Sequence, residues 1–197
     1  MPPIPALQQP LSDGSVGLRF TAERDIPEIL IAYQDDPELH IRLGKRRPPS
    51  GAELGQELEA AAANRAQGVR ASLAVLELPG DQCRGEVTVQ AIDWEQGRAS
   101  LKIWVAPGAR GRGLARRALT LAARWLFEAC GCQQIALVTD PHNEQMLRAA
   151  RAAGFVDAGP PLRRLEQPID TDLAVLALRP GDLHVARPAT RSPRPGA

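Results

Sequence analysis

The chain predicts an α/β fold, an α+β arrangement in which a mixed sheet is flanked by helices, and three observations carry that prediction. Short apolar runs alternate with helix-forming segments along most of its 197 residues. Three consecutive strand-like runs between residues 71 and 105 are separated only by turn formers, as in an antiparallel meander. Finally, Leu101 to Ala115, LKIWVAPGARGRGLA, leads from an apolar strand through Pro-Gly into a glycine-studded helix start.

The elements follow in order. Residues 1–16 hold four prolines and little periodicity, which predicts a flexible N-terminal tail before a domain over 17–183. Gly17-Leu18-Arg19-Phe20 alternates as a first strand, and Asp25-Ile26-Pro27 opens a helix with proline in its first turn. Ser50 to Glu53 has capping-box spacing ahead of LGQELEAAAANRAQG, a second helix that stops at Gly68. Strands are expected at Ala71 to Leu78, Gly85 to Asp93 and Ala99 to Val105. Leu114, Ala118, Leu121, Ala122 and Trp125 then form the apolar stripe of a long helix that packs on the sheet and ends at Gly131. Ile135 to Thr139 reads as a central strand. Asp140-Pro141 restarts a helix with an N-cap acid, Gly154 ends it, Phe155-Val156 enters another strand, and Asp172 to Leu178 closes the fold. Residues 184–197 are Arg/Pro-rich and read as a disordered tail.

Composition narrows the class. Hydrophobic residues make up 44% and charged residues 24%, enough for one domain with a real core. A net charge of +1, with the basic residues spread along the chain, gives no support for nucleic-acid binding. There is no membrane-length apolar run and no signal-like start, which predicts a cytoplasmic protein with no membrane partner. Three cysteines, Cys83, Cys130 and Cys132, argue against a disulfide framework, and with no His or Cys partners near the Cys130-Gly131-Cys132 run, no metal is expected.

The strand-to-helix passage makes an anion site, because the first N–H groups of a helix lack intrahelical partners and carry the positive end of its dipole. Gly111 and Gly113 let the backbone approach a phosphate, and Arg110 and Arg112 add cationic reach. A Walker loop would need Gly-Lys-Ser/Thr where Gly113-Leu114-Ala115 stands. A dinucleotide fingerprint would need a small residue where Arg116 stands. What remains, Arg110 through Gly113 to Ala115, resembles the pyrophosphate loop of the GNAT N-acetyltransferase superfamily.

The resemblance spans roughly residues 17 to 183, with IWVAP, RGRGLA, ALTLAARWLFEACG, IALVTDPHNEQ and RAAGF in the family's order and spacing. Trp104-Val105, Trp125-Leu126-Phe127-Glu128, and Asn143 with Gly154-Phe155 make it similar to the branch of ribosomal-protein N-terminal acetyltransferases. The resemblance implies an acyl-CoA N-acyltransferase fold with a splayed central sheet, acetyl-CoA as cosubstrate, and a primary amine on a small molecule or protein N-terminus as acceptor. It also leaves room for a homodimer. By the same resemblance the pantetheine arm lies between strands 99–105 and 135–139, with backbone groups of Ile103, Trp104 and Val105 along it. Pyrophosphate rests on Arg110, Gly111, Arg112, Gly113, Leu114 and Ala115, and Asn143 meets the pantetheine or the thioester.

Acetyl transfer needs a neutral amine, a polarised thioester carbonyl and a proton source for the thiolate. Direct attack requires no enzyme nucleophile. The resemblance implies the N–H of Val105, or of a neighbour, as carbonyl polariser, and Glu86, or Asp93 and Glu95 at the hairpin, is the expected base, directly or through water. Glu86 also reads as an outward-facing strand carboxylate, and Asp93 as a turn residue. The family's usual proton donors are missing: Ala150 stands where a tyrosine is common and Met146 where the ribosomal-type branch often has serine. His142 is the substitute candidate, while Tyr33, the chain's one tyrosine, reads as a helix-face aromatic. Substrate choice is expected between Tyr33 and Arg47, where Asp35, Asp36 and Glu38 precede Lys45, Arg46 and Arg47. The alternative function is a catalytically weak or silent acyl-CoA-binding regulatory or scaffold module.

Overall fold

The structure is a computed structural model, and it describes residues 1–159, 162–163 and 172–183. The order is β1 (Leu11–Ser12), β2 (Val16–Phe20), α1 (Ile26–Asp35), α2 (Leu39–Arg42), α3 (Gly51–Glu59), α4 (Ala61–Ala66), β3 (Ala71–Glu77), β4 (Cys83–Asp93), β5 (Arg98–Val105), α5 (Leu114–Glu128), β6 (Gln134–Thr139), α6 (Glu144–Ala152), β7 (Val156–Asp157), β8 (Leu162–Arg163) and β9 (Asp172–Leu178). The strands join in the spatial order β1-β2-β3-β4-β5-β6-β9-β7, with β8 on β9. Only β5 and β6 run parallel; every other described pair is antiparallel. This is the open mixed sheet that the sequence predicts.

Each face of the sheet is sealed by its own apolar cluster. On one side α5 presents Ala118, Leu119, Leu121, Ala122, Trp125 and Leu126 to β-strand residues such as Leu18, Leu73, Val87 and Leu101. On the other, Ile29, Ala32 and Tyr33 of α1, with Leu39 and Leu54, cover Ala74, Leu76, Cys83 and Trp104. Alternation along β4 and β5 sorts these two sets, since successive side chains point to opposite faces.

Three expectations change. Residues 1–16 are anchored rather than loose: Ile4 is 5% exposed, its N–H donates to the Arg65 carbonyl at 2.9 Å, and β1 pairs with β2. The prolines suggested a tail, but Ile4, Leu7 and Leu11 sit among them and complete the edge of the main cluster. The helix after β6 begins at Glu144, not at Asp140-Pro141. Asp140 instead accepts the His142 N–H at 2.7 Å in a side-chain turn, and Asn143 caps the helix by accepting the Met146 N–H at 3.1 Å. The second expected helix is two, broken at Ala60, while α2 is a short addition. The stretch expected as a C-terminal tail, 184–197, lies outside the described residues.

Gly154 closes α6 at φ 104°, and a Cβ there would sit 2.0 Å from the Asp182 carbonyl oxygen. Strain and backbone clash coincide, so Gly154→Ala is expected to cost about 2–4 kcal/mol in denaturant unfolding. Gly55, inside α3 with open space around it, offers the opposite case. Gly55→Ala should stabilise by about 0.5–1 kcal/mol, and a loss at Gly55 would contradict the helix assigned there.

Candidate active site

The sheet opens between β5 and β6. Their parallel register runs from Arg98↔Gln134 to Leu101↔Leu137 and stops, whereas β4 follows β5 to Gly85↔Val105 and β9 follows β6 to Thr139↔Ala174. The Ala106 N–H donates to the Arg84 carbonyl at 2.8 Å on the β4 side. Backbone groups alternate along a strand, so those of Ile103 and Val105 face the opening. Gly85 holds this end of β5 tightly, for a Cβ there would lie 2.2 Å from the Trp104 carbonyl oxygen. The side chain of Trp104 is buried among Tyr33, Cys83 and Ala74 and packs rather than lines the opening.

At the same end of the sheet the chain turns into α5. Gly111 and Gly113 both have φ 77°, a left-handed conformation that glycine adopts without a Cβ clash, and Gly113 caps α5 with no side-chain acceptor. Among the described residues the N–H groups from Gly111 to Arg116 find no acceptor; Arg110 N–H is used by Pro107 at 3.2 Å. The loop therefore displays a row of open amides at a helix N-terminus. Its two arginines are engaged elsewhere. Arg110 donates Nε to the Val105 carbonyl at 2.9 Å and pairs with Asp36, which also pairs with Arg42. Arg112 pairs with Glu77 at 2.8 Å and bonds the Gly108 carbonyl at 3.1 Å. Burial raises the Asp36 carboxyl, but hydrogen bonds from Arg110 and Arg42 outweigh it and hold the group below its ordinary value.

A cavity of about 660 Å³ lies on the α3 side of the sheet, with Ile29 and Leu54 as apolar wall and Glu86 among its lining residues. Glu86 pairs across β4 and β5 with Trp104, so it adjoins the stretch of β5 that has left β6. Its carboxylate accepts from Thr88 Oγ1 at 3.0 Å and Thr21 Oγ1 at 3.1 Å. Burial pushes its pKa up, and the two threonines and Arg70 only partly restore the charged form. Tyr33 shares this field: burial, then the charges of Glu86 and Glu57, push its phenol up to about 12, so it stays protonated at neutral pH.

The remaining candidates sort by place. Asn143, beyond the C-terminal end of β6, spends its side-chain oxygen on the helix cap. His142 is exposed in the turn before it and does not line the cavity. Asp93 accepts the N–H groups of Glu95 and Gln96 at 3.1 and 3.0 Å, so it is a turn residue. Ala150 is fully buried and Met146 packs against the main cluster, so neither supplies a proton. Asp36 was read only as one acid of a charged run, and its bond to Arg110 spans 74 residues; Thr21, Thr88 and Arg70 were not singled out by sequence, because nothing local marks them as partners of Glu86.

Comparison with solved structures gives the same architecture at low sequence identity. RimJ from Mycobacterium smegmatis in complex with CoA-disulfide is 22% identical with a TM-score of 0.75, over 89% of this chain and 88% of that one. Spermidine N-acetyltransferase from Vibrio cholerae, in complex with CoA and spermine, is 18% identical with a TM-score of 0.73, over 86% and 98%. Ribosomal-protein-S5-alanine acetyltransferase from Vibrio fischeri is 16% identical with a TM-score of 0.75, over 90% and 100%. No curated protein matches the chain in sequence. No described helix is long and apolar enough to cross a membrane. The family model described as the acetyltransferase (GNAT) domain matches residues 15–156, and the chain belongs to the GNAT acetyltransferases.

Proposed function

We propose that this acetyl-CoA-dependent N-acetyltransferase acetylates a primary amine, on a small molecule or at a protein N-terminus as in the ribosomal-protein branch, by direct attack with Glu86 as the base. The observation that carries the reading is the placement of Glu86, at a cavity on one side and beside the opening of β5 on the other. A carboxylate whose pKa is raised by burial is a better base for an ammonium than an exposed one, because Brønsted efficiency grows as its pKa nears the working pH.

In this reading the amine enters past Ile29 and Leu54, loses its proton to Glu86 directly or through water, and attacks the thioester carbonyl carbon. The N–H of Val105 faces the opening and polarises the carbonyl oxygen. The C–N bond forms, the C–S bond breaks, and the nitrogen's remaining excess proton passes through solvent to the departing thiolate, leaving amide and free thiol. A thiol of ordinary pKa, about 8.5, leaves without help from positions 146 and 150. The open amides from Gly111 to Ala115 receive the pyrophosphate, and the arm runs along Ile103 and Val105.

Glu86→Gln tests the base. Its kcat/KM is expected to fall about a hundred- to ten-thousandfold in thiol release while CoA affinity by calorimetry holds. The pH profile carries the sign: wild type loses rate as pH drops through the raised Glu86 pKa and protonates the base, whereas Glu86→Gln keeps only the limb set by the amine. A variant with wild-type rates and both limbs would remove Glu86 from the chemistry. Binding of acetyl-CoA without turnover of any amine would favour the silent binding module.

Gly113→Asp tests the loop. Aspartate tolerates the left-handed conformation better than most side chains, so folding is retained while its charge meets the phosphates. CoA affinity is expected to fall at least a hundredfold, with Gly113→Asn, equal in size and neutral, losing less. Equal affinity in all three proteins would move the phosphate site elsewhere.

A further inference from the structure

The charges around the cavity do not cancel. Lys45, Arg46, Arg47 and Arg70 line it together with Glu53, Glu57 and Glu86. Two of the acids are taken: Arg47 pairs with Glu53 at 2.7 Å and Lys45 with Glu57 at 3.1 Å. Glu86 is bonded by its two threonines. Arg46 and Arg70 make no ion pair among the described residues and are both exposed at the cavity. A ligand therefore meets two guanidinium groups that no ion pair among the described residues occupies, at the same cavity that holds the carboxylate suited to receive an amine proton.

A polyamine would bring further positive charge against Arg46 and Arg70. An amine that also carries a carboxylate would place one charge on each partner, and a planar carboxylate matches the guanidinium fork. We infer that the acceptor is a primary amine bearing a carboxylate near the reacting nitrogen, with Arg46 and Arg70 holding the anion while the amine reaches Glu86. This rests on the acetyl-transfer reading above. Two sources share this chemistry, the N-terminus of an acidic peptide and a free amino acid.

The test uses the full chain with CoA or acetyl-CoA and four kinds of acceptor: C-terminally amidated peptides Ala-Asp-Glu-Gly and Ala-Ser-Gln-Gly, free glutamate, and spermidine. KM in thiol release and Kd by calorimetry are read at about 50 mM and about 500 mM salt. The acidic peptide or glutamate is expected to show a KM and Kd about three- to tenfold below the neutral peptide at low salt, with the gap closing at high salt. Whichever of the two leads identifies the source. The double variant Arg46→Gln/Arg70→Gln should erase the gap, and Arg148→Gln, on the distant face of α6, should keep it. Acidic acceptors that bind in an arginine-dependent way without turnover would support this inference and sink the transfer reading. Efficient turnover led by spermidine or the neutral peptide would do the reverse. A gap that survives the double variant, or no binding by any acceptor, would overturn the inference.

Discussion

The site depends on one constraint: β5 and β6 are each held more firmly by their outer neighbour than by one another. Past Leu101 the partner of β5 is β4 alone, and past Leu137 the partner of β6 is β9 alone. Two antiparallel ladders thus persist while the single parallel one between them ends, and a parallel ladder is the slightly weaker of the two per residue. Gly85 strengthens the choice by letting the β5 backbone lie against β4 where any Cβ would collide with it. The result is a sheet that splits at its middle with no edge strand lost. That split leaves the backbone of Ile103 and Val105 without a β6 partner, and the Val105 carbonyl takes Arg110 Nε instead.

The carboxylate beside the split shows how opposing influences set a pKa. Burial is the largest influence on Glu86 and raises its pKa. Thr21 and Thr88 donate to the charged form and Arg70 lends a favourable field, yet burial still wins. The threonines leave the carboxylate oriented, one oxygen to each hydroxyl. Thr88 lies on β4 with Glu86, and Thr21 just follows β2, so the orientation of Glu86 is fixed by one neighbour on its own strand and one distant in sequence.

Features that arise within one segment were legible in the sequence. The loop glycines, the stripe of α5, the capping box at Ser50 and Glu53, and the meander from 71 to 105 each follow from spacing and local propensity, and each is present. Features that need a distant partner were not. Arg110 and Asp36 are 74 residues apart, Thr21 and Glu86 are 65 apart, and no periodicity connects them. The N-terminal segment was misread for a related reason: proline density is a local signal, while the anchoring of Ile4 comes from the carbonyl of Arg65. Asn143 shows a third case. Its position was clear, but Asp140 competed for the cap and only the turn it makes with His142 decides between them.

The loop arginines carry the argument one step further. Guanidinium groups beside a glycine-rich loop look like phosphate ligands, and charge-assisted bonds are among the strongest available. Here Arg110 is fixed at three places, its own loop, the carbonyl of Val105 and the carboxylate of Asp36 beyond the end of α1. Asp36 is nearly buried and also binds Arg42 of α2, so releasing Arg110 would leave a buried carboxylate one partner short. In the proposed site the grip on phosphate thus falls to backbone amides and the helix dipole, which need no rearrangement. Arg110 instead ties the end of α1, the end of β5 and the glycine loop together. In the proposed transfer the two reactants need a constant separation, and an ion pair between a buried Asp36 and a part-exposed Arg110 serves that need more firmly than a guanidinium committed to the ligand.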